Sequence, residues 1–254
     1  MKERFADIVT SAGTMRTLVV HPEQDGPFPA VILYMDFWGV REELFDIARW
    51  VATVGYCCLV PDLYYRQGSV HNEIIDQQGK MVSLSRLDQA ASARVLAPLT
   101  KFSDAEAMDD TDAILQFLAE DEAVRAGPKG CFGFCLGGRL VMRAAGRFPG
   151  EIKAAASLHG SRLVADGADS PHRLADKLQG ELYCGFAEHD PYTPASTVDD
   201  LKAAMRSSAA RFSYEIHAGS EHGYALPNRD IYDKRATLRD WELILAMFRR
   251  QLAS

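Results

Sequence analysis

Short, unbroken apolar runs alternate along this chain with stretches in which apolar residues recur every three or four positions. Ala30–Tyr34 is apolar throughout, the pattern of a strand covered on both faces. Leu44, Ile47, Ala48, Val51 and Ala52 then share one helical face, and Gly55 supplies a stop. Cys57–Val60 is the next buried strand. The cycle repeats with a helix over Asp104–Glu120, a strand at Lys129–Phe134 and a helix from Leu136. Ala154–Leu158, Leu182–Phe186 and Phe212–Ile216 are further strands, and Leu238–Phe248 has the spacing of a closing helix. At the start, Asp7–Thr10 and Thr17–His21 flank Ser11-Ala-Gly13 and predict a hairpin. Strands alternating with helices predict an α/β fold with a mostly parallel central sheet and helices on both faces. Residues 67–103 are polar and then helical, an excursion over the sheet within a single domain spanning residues 1–254.

Composition narrows the partners. A net charge of −7 with scattered basic residues argues against nucleic acid and anionic membrane surfaces. No apolar run is long enough to span a bilayer, and the N-terminus lacks the apolar stretch of a signal peptide, so a cytoplasmic location is expected. Five cysteines are present, an odd number without zinc-site spacing, so neither a disulfide framework nor a metal site is expected. Cys57, Cys58, Cys131 and Cys184 lie in apolar segments, where cysteine serves as a small hydrophobe.

Cys135 differs. Gly133-Phe-Cys135-Leu-Gly137 fits G-x-nucleophile-x-G where a strand hands over to a helix. The flanking glycines leave room for a sharp turn, and the helix N-terminus favours a thiolate. The backbone N–H of Leu136 would face a developing oxyanion. Small residues can also serve close strand–helix packing, so the motif gains force only from partners later in the chain. In the α/β-hydrolase fold the acid and the histidine come after the nucleophile, in that order. Asp190 stands in Gly185-Phe-Ala-Glu-His-Asp190-Pro191, at the end of a predicted strand, with Glu188 and His189 as neighbouring competitors. His222 stands in a glycine-flanked loop after the last predicted strand. Such a set implies a cysteine nucleophile, a histidine base and an aspartate that holds the imidazole tautomer.

With these motifs in place the sequence strongly resembles the dienelactone hydrolase family over about residues 5–250. GFCLGG around Cys135 is similar to that family's elbow, Asp190-x-x-x-Pro194 to its acid loop, and His222-Gly-Tyr224 to its histidine loop. The resemblance implies an α/β-hydrolase fold, a carboxylic ester hydrolase and no cofactor. Asp36 stands where the family has a glutamate that takes up the thiol proton, and Phe37 follows as the second oxyanion N–H. Arg66, in Pro61-Asp-Leu-Tyr-Tyr-Arg66, matches a substrate-carboxylate arginine, whereas a second such arginine is replaced by Leu226. Trp38, His159, Tyr224 and Leu226 are expected to line the substrate pocket, and Arg162 could replace the missing arginine.

Sulfur constrains the substrate. Thiolate is itself a good leaving group, so the intermediate reverts unless the substrate's oxygen leaves as readily. Activated esters and enol lactones meet that condition; amides do not. With one expected arginine missing, neutral aryl or enol esters are expected to be cleaved at least as well as acidic dienelactones. An acyltransferase or thioesterase on the same triad, or a non-catalytic or thiol redox-sensing scaffold, are the alternatives. The expected partner is a small ester or lactone, and the chain a monomer or homodimer.

Overall fold

The computed structural model describes residues 1–68, 70 and 72–253. Its centre is one eight-stranded sheet ordered β1-β2-β4-β3-β5-β6-β7-β8. The first two strands, β1 (Lys2–Thr10) and β2 (Gly13–His21), form an antiparallel hairpin in which Thr10 faces Gly13. β2 joins β4 (Cys57–Pro61) antiparallel, and from β4 onward every pairing is parallel. β3 (Ala30–Tyr34), β4 and β5 (Lys129–Phe134) are buried at every position, as unbroken apolar runs require. β6 (Ile152–Leu158), β7 (Glu181–His189) and β8 (Arg211–Glu221) continue the sheet to a partly exposed edge.

Among the described residues six α-helices pack around this sheet: α1 (Glu42–Thr53), α2 (Gln89–Leu96), α3 (Asp104–Glu120), α4 (Leu136–Arg147), α5 (Ala195–Met205) and α6 (Lys234–Leu252). α1 meets α6 through Trp50 and Trp241, whose ring centroids are 4.6 Å apart. α3 meets α4 through Asp104, which accepts from Arg139 (2.9 Å) and Arg143 (2.5 Å). α2 falls in the helical part of the 67–103 excursion, α5 is an addition to the helices read from the sequence, and the terminal hairpin and β8 extend beyond the predicted runs. Both helices carry few large apolar residues: only Val95 is buried in α2, and Thr197, Val198, Leu201 and Met205 in α5.

The 67–103 excursion positions the site. Its middle is tied to the loop that follows β8: Met81 donates to the Asn228 carbonyl (2.7 Å) and accepts from Asp230 N–H (3.1 Å). Ser83 N–H and hydroxyl both donate to Asp230 Oδ1. Beyond it, Asp88 caps α2 by accepting from Ala91 N–H at 2.7 Å, and Ser103 caps α3. The excursion thereby holds apolar side chains over the carboxyl ends of the central strands.

Candidate active site

β5 ends at Phe134 and α4 begins at Leu136, leaving Cys135 alone at the junction. Its backbone lies at φ 53°, ψ −109°, a conformation strained for a side chain larger than hydrogen. The surroundings enforce it. Cys135 N–H donates to the Leu158 carbonyl (3.1 Å), and the Cys135 carbonyl accepts from Ser161 N–H (3.0 Å). A side chain on Gly137 would place its Cβ 2.2 Å from the Tyr34 carbonyl oxygen, and one on Gly133 would meet the Gly137 backbone at 2.6 Å. The glycines therefore let α4 start against β3 and β5, with Cys135 at its N-terminus. Leu136 supplies the first helical N–H, one of four that a helix cannot satisfy internally.

Asp190 follows β7 directly and His222 follows β8. Asp190 Oδ2 accepts from His222 Nδ1 at 2.7 Å. Its other oxygen accepts from the N–H groups of Tyr192 (2.8 Å) and Thr193 (3.1 Å), which fixes the carboxylate. Glu188 instead accepts from Gly219 N–H at 2.8 Å, and His189 is exposed. His222 Nε2 is buried without a hydrogen-bond partner, and its ring lines a cavity together with Cys135. Burial alone would favour neutral imidazole. The Cys135 thiolate and the Asp190 carboxylate outweigh it and push the pKa of His222 up to about 10. The other four thiols are buried, and for Cys58, Cys131 and Cys184 burial pushes the pKa well up.

Asp36, Phe37 and Trp38 form the loop after β3. Both Asp36 oxygens are taken by Arg41 (2.8 and 3.0 Å), and Oδ1 also accepts from Trp38 N–H (3.1 Å). Arg41 continues to Glu43 (2.7 Å), whose other oxygen accepts from Asn228 N–H (2.6 Å). A buried Asp36–Arg41–Glu43 network thus joins the loop carrying Phe37 to the loop carrying His222. Tyr64 donates to the Phe37 carbonyl at 2.9 Å.

Phe37, Trp38, His159 and Leu226 all line a cavity with Cys135. Two expected substrate contacts do not. Arg66 is held by both oxygens of Asp110 (2.7 and 2.9 Å) and is not among the residues lining the cavities at Cys135. Its partner, placed by α3, neutralises it. Tyr224 is fully buried, donates to Asp240 at 2.6 Å and packs edge-on against His159, behind the cavity. Arg162 is exposed at the rim of a second, larger cavity that Cys135 also lines.

Three residues escaped the sequence reading. Ser161 Oγ lies 3.8 Å from Cys135 Sγ, and Tyr192 packs against the His222 ring at 4.8 Å. Arg229 is buried, its guanidinium stacked 5.0 Å from the Trp38 ring centroid, and it lines the same cavity as His222. Its Nε has no hydrogen-bond partner, and burial pulls its pKa below the usual guanidinium range. No signal in the sequence separates it from other arginines, because its distinction is burial without a bonded carboxylate. Among the described residues no group of side chains forms a metal site, and no helix is long and apolar enough to cross a membrane.

Comparison with known proteins matches the chain to a family. The model of the dienelactone hydrolase family matches residues 15–252. A relative from Methylorubrum extorquens, named "Putative carboxymethylenebutenolidase", is 28% identical over 233 residues, covering 90% of this chain and 74% of its own. One of the same name from Synechocystis sp. is 29% identical over 237 residues, covering 92% and 91%. A crystal structure titled "Putative Dienelactone Hydrolase" from Klebsiella pneumoniae superposes with a TM-score of 0.82 at 24% identity, covering 97% of this chain and 98% of that one.

Proposed function

The chain belongs to the dienelactone hydrolase family and is a carboxylic ester hydrolase, and from that premise we propose that it cleaves activated esters or enol lactones through a thioester on Cys135. The observation that carries this reading is the buried, unpartnered Nε2 of His222, oriented by Asp190 and sharing a cavity with the elbow cysteine. The thiolate attacks the carbonyl carbon, and the N–H groups of Phe37 and Leu136 take the oxyanion. As the tetrahedral adduct collapses, the imidazolium of His222 gives its proton to the leaving oxygen. Neutral His222 then removes a proton from water, which hydrolyses the thioester and restores the thiolate–imidazolium pair. Asp36, engaged at both oxygens by Arg41, serves the geometry of the oxyanion loop in this scheme, and the thiol proton goes to His222.

The relatives' name describes a butenolide bearing a carboxymethylene group, and so a substrate with a carboxylate. Arg229 is the cation that lines the cavity on the His222 side, and we assign it to such a group in place of Arg66. One charge-assisted hydrogen bond is worth roughly 1.5–3 kcal/mol, so Arg229→Met should lower kcat/KM for acidic substrates by about tenfold to a hundredfold and change neutral ones little. An acid preference that survives Arg229→Met would reject the assignment.

Acid-quenched mass spectrometry after brief exposure to an activated ester should find the acyl group on Cys135, and Cys135→Ala should not turn over. Label on another cysteine with an active Cys135→Ala protein would overturn the mechanism. Alcohol acceptors added to the assay separate hydrolase from acyltransferase. A redox-sensing role is disfavoured by the burial of Cys131, the nearest candidate resolving thiol in sequence.

A further inference from the structure

Two cavities meet at Cys135 and differ in both size and chemistry. The larger, about 650 Å³, runs under the excursion and the start of α3; the smaller, about 40 Å³, lies toward the loop after β8. Cys135, Phe37, Leu84 and Tyr192 line both, whereas His222 lines only the smaller. An ester carbon bonded to Sγ carries two substituents that must part company at this point. The leaving oxygen needs the proton on His222 Nε2, so it faces the small cavity. The acyl chain, the other substituent of that carbon, is then directed into the large one.

We propose that the large cavity is an acyl-chain site, which selects esters with an extended apolar acyl group and a small, activated alcohol or enol portion. This rests on the hydrolase reading above and adds the side of the ester on which selection acts. The wall chemistry fits. Leu84, Leu96, Leu99, Phe102 and Met108 form an apolar surface. Arg139 and Arg143 also border the cavity; both bond Asp104, Arg143 lies 3.6 Å from Asp169, and Arg162 stands at the rim. Pockets of roughly 300–1,000 Å³ enclose drug-sized ligands, far more than an acetyl group occupies. The smaller cavity has room for a few water molecules at about 10–15 Å³ each, enough for a short alcohol or enol.

The test uses two series of neutral esters on the whole protein. Vinyl esters keep the leaving group small while the acyl chain grows from acetate to octanoate; the released enol becomes acetaldehyde. Each methylene buried should raise kcat/KM about fourfold, so octanoate should exceed acetate by on the order of a hundredfold or more. In the mirrored series, aryl acetates with lengthening para-alkyl groups, kcat/KM should stay level or fall. Leu99→Trp and Leu96→Trp, which fill the cavity from its wall, should collapse the octanoate-to-acetate ratio toward one. A flat acyl series, a rise confined to the mirrored series, or a ratio untouched by both substitutions overturns the proposal. The wild-type series decides even where a tryptophan variant fails to fold. Acylation of Cys135 with a flat acyl series removes this inference alone; no acylation of Cys135 by any ester removes the hydrolase mechanism and this inference with it.

Discussion

At the scale of single residues, the proposed chemistry turns on one hydrogen bond, from His222 Nδ1 to Asp190 Oδ2 at 2.7 Å. Asp190→Asn keeps the shape but can present its amide N–H to Nδ1, which favours the tautomer with Nε2 protonated. It also removes a carboxylate that raises the His222 pKa. We expect kcat to fall by about 10³–10⁴-fold, and thiolate-dependent alkylation of Cys135 by iodoacetamide near pH 7 to slow in parallel. Glu188→Gln, whose parent bonds Gly219 N–H on the exposed side of the sheet, should stay within about threefold of wild type, as surface substitutions away from a site do. Equal losses in the two variants would reject Asp190 as the sole acid of the triad. Cys135, Asp190 and His222 were legible in the sequence because each sits in a short local pattern at a strand end, in a fixed chain order. Arg229 was not. Its lack of a bonded carboxylate depends on Trp38 beneath it and on Arg41 occupying Asp36 and Glu43, which are contacts between distant segments.

At the scale of elements, the site depends on how closely the helices and loops approach the sheet. Gly137 on α4 lies so near the end of β3 that a Cβ would stand 2.2 Å from the Tyr34 carbonyl oxygen. Backbone cannot yield there as a side chain would, so Gly137→Ala should shift α4, displace Leu136 N–H and cost at least about 1–3 kcal/mol, read as a lower urea midpoint with lost esterase activity. Arg41 does a related task between loops. Burial opposes its charge, but Asp36 and Glu43 together hold its pKa well up. Arg41→Met would leave two buried carboxylates unpaired, at about 3–5 kcal/mol. The additional substitution Asp36→Asn should recover part of that stability by removing one stranded charge. No recovery would mean that Arg41 acts by packing alone. The main strands and the larger amphipathic helices were readable from periodicity. α2 was legible only as a helical stretch without bounds and α5 not at all, because each is short and buries few large side chains, so its apolar stripe is thin.

For the whole molecule, the α/β class follows from the alternation of strand and helix patterns, but the strand order does not. The placement of β3 between β4 and β5 is a choice among non-local pairings that apolar runs of similar character leave open. The same non-local packing sets the response to pH, through two histidines with opposite signs. His159, at the end of β6, is 1% exposed, and neither ring nitrogen has a partner. Its ring lies against Phe134 (5.8 Å), His222 (4.9 Å) and Tyr224 (5.5 Å). Burial, then the positive charges of His222 and Arg229, hold its pKa well below that of free imidazole. The unfolded chain protonates this group near pH ~6.5 and the folded chain only at lower pH. Its contribution to stability is therefore complete above about 6.5 and is lost as pH falls below it. His222 runs the other way: with a folded pKa of about 10, its contribution is complete below about 6.5 and is lost as pH rises through 10. The carboxylates of Glu181, Asp230 and Asp233, held below their usual range, enter only near pH ~4 and below, outside the His159 window. His159→Phe fills the same apolar niche without a titrating group. Unfolding free energies from urea titrations at about pH 7, 6 and 5 should fall in wild type by up to about 1.4 kcal/mol per pH unit from this one group. The His159→Phe protein should lose most of that slope and keep the alkaline one. An acid slope unchanged by the substitution would show that the protons are taken up elsewhere in the unfolded chain, and would remove His159 from the account of acid sensitivity.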